Sequence, residues 1–162
     1  MGDAPTIRPL APADLETVLR VHVESILAFG SSAYDRREVA AWAAKPEGTR
    51  PYERALEDAH TYFVVAERNG DVAGFGGVDV DSGEIVALYV DPDHARSGVG
   101  SALLSHLETY ALDRGYTELS LWSSLNAVDF YERVGYEPLE ETVHETTDGV
   151  ELNCLEMRKR IG

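Results

Sequence analysis

One stretch constrains the fold more than any other: Tyr89-Val-Asp-Pro-Asp-His-Ala-Arg-Ser-Gly-Val-Gly-Ser101. It joins an apolar run, Ile85 to Val90, to a helix-like segment, Ala102 to Arg114. A strand that turns through small residues into a helix leaves several backbone N–H groups aimed one way. The positive end of the helix dipole adds to them, and such a junction takes phosphate. Gly98 and Gly100 lack a Cβ, so a ligand can approach the backbone closely. Arg96 supplies a charged fork for phosphate. The stretch reads as a pyrophosphate cradle; the plainer alternative is a tight turn that needs glycine. No Lys-Ser or Lys-Thr follows Gly100, which excludes a Walker-type loop, and Leu103 stands where a dinucleotide fingerprint has its third glycine.

A second cluster, Ser124-Leu-Asn-Ala-Val-Asp-Phe-Tyr-Glu-Arg-Val-Gly-Tyr136, follows the short apolar run Leu119 to Trp122. Together the two clusters resemble the GNAT superfamily of acetyl-CoA-dependent N-acetyltransferases. Val90, Pro92 and Ala95-Arg-Ser-Gly98-Val-Gly100 resemble that family's first motif, in which Gln or Arg usually stands where this chain has Ala95. Asn126, Phe130, Tyr131, Gly135 and Tyr136 resemble its second motif. The resemblance is specific from about Glu84 to Pro138 and weaker elsewhere. Tyr34 with Glu38, Val39, Ala41 and Trp42 further resembles the early part of one GNAT subgroup.

The resemblance implies an acetyl-CoA-dependent transfer to a primary amine of a small molecule or protein, by direct attack. It implies that the edge formed by Leu88, Tyr89 and Val90 pairs with the pantetheine arm. It places the pyrophosphate on the turn of Ala95, Arg96, Ser97, Gly98, Val99, Gly100 and Ser101. Asn126 would bond the pantetheine amides, cap the following helix, or do both. Tyr131 is the candidate general acid toward the CoA sulfur, since a phenol and a thiol have neighbouring reference pKa values; without the motif it would read as core. Glu84 aligns with the catalytic glutamate of some histone-acetylating relatives, while other relatives use a water chain. His144 on the last hairpin is a rival base. Two alternatives stay open: a non-catalytic acyl-CoA sensor on the same fold, and an unrelated nucleotide-phosphate binder.

The chain's 162 residues suit a single domain, 1–162, with a sizeable core. Thr6–Leu10 reads as a strand, with Pro9 marking an edge or an end. Residues 13–29 and 35–44 read as helices, and 51–59 as a third short helix or a loop. Residues 62–68 and 72–80 form a hairpin through Asn69-Gly70. Gly74, Gly76 and Gly77 mark a bulge or close packing rather than a ligand loop. Residues 84–90 form the strand before the cradle. Residues 127–134 form a short helix, and 136–146 pairs with 150–160 as a final hairpin. The expected fold class is α/β in the mixed α+β sense: a GNAT-like, mostly antiparallel sheet of about six or seven strands with helices on both faces.

The single cysteine, Cys154, excludes an internal disulfide and a multi-cysteine zinc site, so no metal is expected. No apolar run reaches the ~20 residues of a membrane span, and a cytoplasmic place is expected. The start Met1-Gly-Asp-Ala-Pro-Thr6 matches the short myristoylation template, but nothing basic follows it and the match reads as chance. The formal charge is −15, from 29 acidic and 14 basic residues. Such a surface repels nucleic acid and anionic lipid, leaving neither as a partner; a homodimer is left open. Only Lys45 and Lys159 are lysines. Abundant acid with almost no lysine reads as adaptation to a salt-rich, halophilic cytoplasm, beside the plainer reading of an ordinary acidic enzyme.

Overall fold

Successive residues of the second strand point to opposite faces, and both faces are covered. The computed structural model describes residues 4–162; the first three positions of the myristoylation template lie outside it. Seven strands form one sheet: β1 (Thr6–Pro9), β2 (Thr61–Arg68), β3 (Asp71–Asp79), β4 (Glu84–Val90), β5 (Glu118–Ser124), β6 (Glu137–Glu145) and β7 (Glu151–Arg160). Their order is β1-β2-β3-β4-β5-β7-β6. The helices are α1 (Leu15–Phe29), α2 (Arg36–Ala43), α3 (Arg50–Glu57), α4 (Val99–Asp113) and α5 (Val128–Arg133). The stretch left between helix and loop is thus a helix, and the strand carrying Pro9 lies at the sheet edge.

Short connections make antiparallel neighbours. Asn69 and Gly70 both take positive φ, 54° and 84°, the pair that a tight hairpin turn between twisted strands requires. The link from β4 to β5 runs through α4, so that pair alone is parallel. On one face, Val64 and Ala66 of β2 pack with Leu103, Leu104 and Leu107 of α4. On the other, Val65 packs with Val18, Val21 and Phe75 under α1. A third cluster of Ile26, Tyr34, Val39 and Leu152 joins α1 and α2 to β7.

The glycines of β3 serve packing. A Cβ on Gly74 would come within 2.8 Å of the Tyr89 carbonyl oxygen and 3.1 Å of Leu103, and one on Gly76 within 3.1 Å of Leu107. The bare backbone lets α4 lie directly on the sheet.

Two irregularities position the site. Val78 pairs with Ile85 and Gly77 with Ala87, so Val86 is an extra residue in β4. Such a bulge bends its strand. The parallel pairing of β4 with β5 consists of Glu84 with Ser120 and Ile85 with Leu121, the two residues before that bulge. β5 instead follows β7 from Glu118 to Ser124. Beyond Ile85 the two strands diverge, and the sheet opens into a wedge.

Candidate active site

The wedge exposes backbone. The Asp91 N–H donates to the Ala73 carbonyl at 2.8 Å. In an antiparallel ladder alternate residues bond to the same neighbour. Tyr89 and Asp91 therefore turn their polar groups toward β3, and Leu88 and Val90 turn theirs into the gap. Leu88 and Val90 both line a cleft of about 1030 Å³.

The turn after β4 closes one end of this cleft. Buried Asp91 accepts from the Asp93 N–H at 2.9 Å and meets Arg20 of α1 at 3.2 Å, which ties the turn to the helix. Arg96 adopts a left-handed φ of 59° and Gly98 one of 86°. Alternation of right- and left-handed residues curls successive N–H groups into an anion-binding concavity. Helix α4 begins at Val99 with Gly98 as its cap and no side chain bonding the cap position. Its first N–H groups therefore have no intrahelical partner. Ala95, Arg96, Gly98, Val99, Gly100 and Ser101 line the cleft. Ser97 does not, and its hydroxyl donates to the His94 carbonyl. A Cβ on Gly100 would lie 3.3 Å from the Phe130 ring, so this glycine lets α5 approach α4 as well as admitting a ligand.

The opposite wall comes from the end of β5 and from α5. Asn126 lines it, and its Oδ1 is buried without a hydrogen-bond partner. A buried acceptor left unpaired is costly, and an arriving N–H donor would relieve it. Tyr131 lines the same wall with 7% of its surface exposed. Phe130 and Tyr136 hold it edge-on, with ring centroids 5.2 Å and 5.7 Å away. Burial, with Tyr89 adding to it, raises the Tyr131 phenol well above its ordinary value. A phenol so held remains a hydrogen-bond donor at neutral pH.

A family model for the GNAT acetyltransferase domain matches residues 31–160. The chain belongs to the GNAT acetyltransferase family. It is 31% identical over 147 residues to an uncharacterised N-acetyltransferase of Methanocaldococcus jannaschii, covering 83% of this chain and 62% of that relative's length. An uncharacterised N-acetyltransferase of Escherichia coli is 27% identical, covering 83% of both chains. Among solved structures, a GCN5-related N-acetyltransferase from Rhodopseudomonas palustris superposes with a TM-score of 0.91 at 26% identity, over 99% of this chain and 98% of that one. The PaiA N-acetyltransferase of Thermoplasma acidophilum, solved with coenzyme A, shares the fold with a TM-score of 0.76 at 22% identity, over 98% and 99% of the two chains. The expected GNAT architecture, a mixed and mostly antiparallel sheet with helices on both faces, is the one observed.

Other residues singled out in this GNAT chain lie elsewhere. Glu84 is half-buried where β4 and β5 are still paired, opposite Ser120, and is not among the residues lining the cleft. Burial raises its carboxyl, with Asp79 and Glu156 adding to the effect. Tyr34 is a structural tie: its hydroxyl donates to the Asn153 carbonyl at 2.5 Å and accepts from the Leu125 N–H at 2.9 Å. His144 and Glu145 line a second pocket, of about 250 Å³, on the hairpin side. Trp42 lines both cavities.

The second pocket contains three residues that sequence reasoning did not select: His22, Lys45 and Tyr52. His22 looks like one more inward position of an amphipathic helix, and Lys45 lies in a loop. His22 in fact packs against Tyr89 with ring centroids 4.1 Å apart and planes tilted by 36°, and its Nδ1 meets the Tyr52 hydroxyl at 2.6 Å. Burial, aided by the positive charge of Lys45, drops its pKa to about 3. The one available signal was the scarcity of lysine in an acidic chain.

Proposed function

We propose that the protein transfers an acetyl group from acetyl-CoA to a primary amine of a small molecule or protein by direct attack. The observation that carries this reading is the wedge itself: an unpaired β4 edge meets the uncapped start of α4, and an orphaned acceptor faces them. These groups fit the three polar parts of coenzyme A. Leu88 and Val90 would pair with the pantetheine amides, and Asn126 would accept from one of them. Val99, Gly100 and Ser101 would donate to the pyrophosphate, assisted by the Arg96 guanidinium. Ser97 acts through the shape of the turn, and Ala95 through its backbone. Tyr89 contributes its place in β4 and its packing rather than a polar group.

The bound donor supplies an activated acyl carbon. A backbone N–H at the β4 edge polarises the carbonyl, the amine forms the new N–C bond, and the C–S bond breaks. Tyr131 donates a hydrogen bond to the departing thiolate. Because burial raises the phenol, it stabilises the thiolate as a donor, and full proton transfer is the lesser part of its role. The amine's proton must leave as well. Glu84, four residues down the strand from Leu88, is proposed to receive it through water, since it lies off the cleft wall. Its burial favours a carboxylate basic enough for that task. We read residues 1–162 as one such domain.

Calorimetric titration with acetyl-CoA, ATP and NAD tests the binding half. Acetyl-CoA should bind at least tenfold more tightly than either competitor, and equal or absent binding overturns the assignment. Release of free thiol in the presence of an amine panel tests the transfer half. Binding without any thiol release across that panel would instead describe a sensor.

A further inference from the structure

The second pocket contains a lysine that no carboxylate among the described residues neutralises. Lys45 follows α2, and its ammonium donates to the Trp42 carbonyl in that helix's last turn. A helix C-terminus favours a cation, but this contact uses one of three donor hydrogens. Among the described residues no carboxylate pairs with Lys45, whereas Lys159, the other lysine, meets Glu108 at 3.1 Å. Glu47, also at this pocket, is taken by Arg54 at 3.0 Å. Glu145 stands exposed at the rim on the hairpin side. The titratable groups deeper in the pocket are neutral: His22 is uncharged, and burial holds the Tyr52 phenol protonated. Burial also lowers the Lys45 ammonium from its usual value. A half-buried, unpaired cation in a chain of formal charge −15 is therefore a departure from the electrostatics of the rest of the molecule.

The pocket is next to the chemistry. Trp42 forms part of its wall and part of the cofactor cleft's wall. His22 packs against the ring of Tyr89, the strand residue between the two whose backbone faces the wedge. A volume of about 250 Å³ holds roughly eight water molecules' worth of liquid, hence a ligand on the order of eight to ten heavy atoms. Ala44, Pro46 and Pro51 give that space apolar walls.

We infer that this pocket holds the acceptor, and that the acceptor is a small amine bearing a carboxylate, of amino-acid size, whose carboxylate pairs with Lys45. The inference rests on the acetyltransferase reading. The carboxylate takes the two unused ammonium hydrogens, the apolar part lies against the proline and tryptophan walls, and the amine reaches past Trp42 toward the thioester. An acceptor of purely cationic character would bring a second positive charge against Lys45 and is disfavoured.

The test uses the full chain and the twenty amino acids, each beside its carboxamide, with leucine, leucinamide and 3-methylbutylamine as the matched trio. Thiol release should show kcat/KM about 10- to 100-fold higher for the preferred carboxylate than for its amide, the range expected for a hydrogen bond to a charged group. Lys45→Met should bring that ratio near one, and Lys45→Arg should restore part of it. Acetyl-CoA affinity of each variant reports that it is folded. A second readout needs no turnover: the N-acetylated amino acid should bind the wild type and lose at least tenfold in Lys45→Met, while the N-acetylated amide should not. Acetylation of amines with no carboxylate preference overturns the inference and leaves the transferase reading intact. A large fall in turnover in Lys45→Met for carboxylate and amide alike, with their ratio unchanged, assigns Lys45 to proton removal and also overturns it. Lys45-dependent binding of the carboxylate without thiol release supports the pocket and sinks the transferase reading. Absence of both binding and turnover with every carboxylate overturns the inference.

Discussion

Arg96 holds a left-handed backbone, φ 59°, that few residues with a side chain adopt. The guanidinium at this point of the turn thus comes with backbone strain, of order 1 kcal/mol. Arg96→Gly separates the two contributions. The variant should be as stable as the parent or slightly more so in urea denaturation, yet bind CoA about tenfold more weakly by calorimetry. Unchanged affinity would reduce the turn to its backbone amides. Tyr131→Phe should lower kcat by about 10- to 1,000-fold and change KM for acetyl-CoA little, because the hydroxyl acts on charge that develops only at the transition state. Full activity would make Tyr131 a core residue. His22 carries a pH signature. Its pKa falls from 6.5 unfolded to about 3 folded, so between those values the unfolded chain binds the extra proton. Stability therefore rises with pH across that window, and it is lost as pH falls from 6.5 toward 3. His22→Gln should flatten the slope of unfolding free energy against pH between about 4 and 6.5, by up to 1.4 kcal/mol per pH unit. An unaltered slope would assign acid sensitivity to the carboxylates alone.

At the scale of elements, the hairpin turns, the amphipathic α1 and the strand-to-helix cradle were legible because each depends on residues close in sequence. Asn69-Gly70 needs only its own backbone, and β2 is apolar from Tyr62 to Ala66 because it is covered on both faces. Leu88, Val90, Gly98, Asn126 and Tyr131, drawn from the two motif regions, line one cleft. The wedge was implied by the family resemblance alone, and its cause was not legible. It depends on Val86 bulging against β3 and on β5 following β7, two long-range pairings with no local signature. Hence Glu84 looked adjacent to the chemistry in sequence yet lies off the cleft wall. The pocket of His22, Lys45 and Tyr52 assembles from three separate segments, and no spacing rule connects them. The three β3 glycines were readable as close packing, and the structure identifies α4, β4 and Phe63 as what they meet. Gly74→Val should accordingly cost about 1–3 kcal/mol in urea denaturation, since its Cβ would press on the Tyr89 carbonyl and Leu103. A wild-type midpoint would mean that α4 can move away from the sheet without loss.

At the scale of the whole molecule, the charge and the donor oppose each other. The protein has a formal charge of −15, and CoA is itself a polyanion. Arg96 and the start of α4 attract phosphate at short range, while the summed field of the surface repels it at long range. Added salt weakens these two effects unequally. The Debye length falls from roughly 10 Å at 0.1 M to 3 Å at 1 M, which removes repulsion across the surface before it removes contacts within the cleft. If the acidic, lysine-poor composition is an adaptation to a salt-rich cytoplasm, CoA affinity should hold or rise as KCl increases from about 0.1 M to beyond 1 M. An enzyme whose phosphate site dominates its field should instead lose affinity steadily over that range. Fluorescence or calorimetric titration, with circular dichroism to verify folding at each salt concentration, separates the two. A monotonic loss of CoA binding by the folded protein would show that the local cradle governs association. The surface charge would then be the ordinary excess of an acidic enzyme, with no bearing on how the donor arrives.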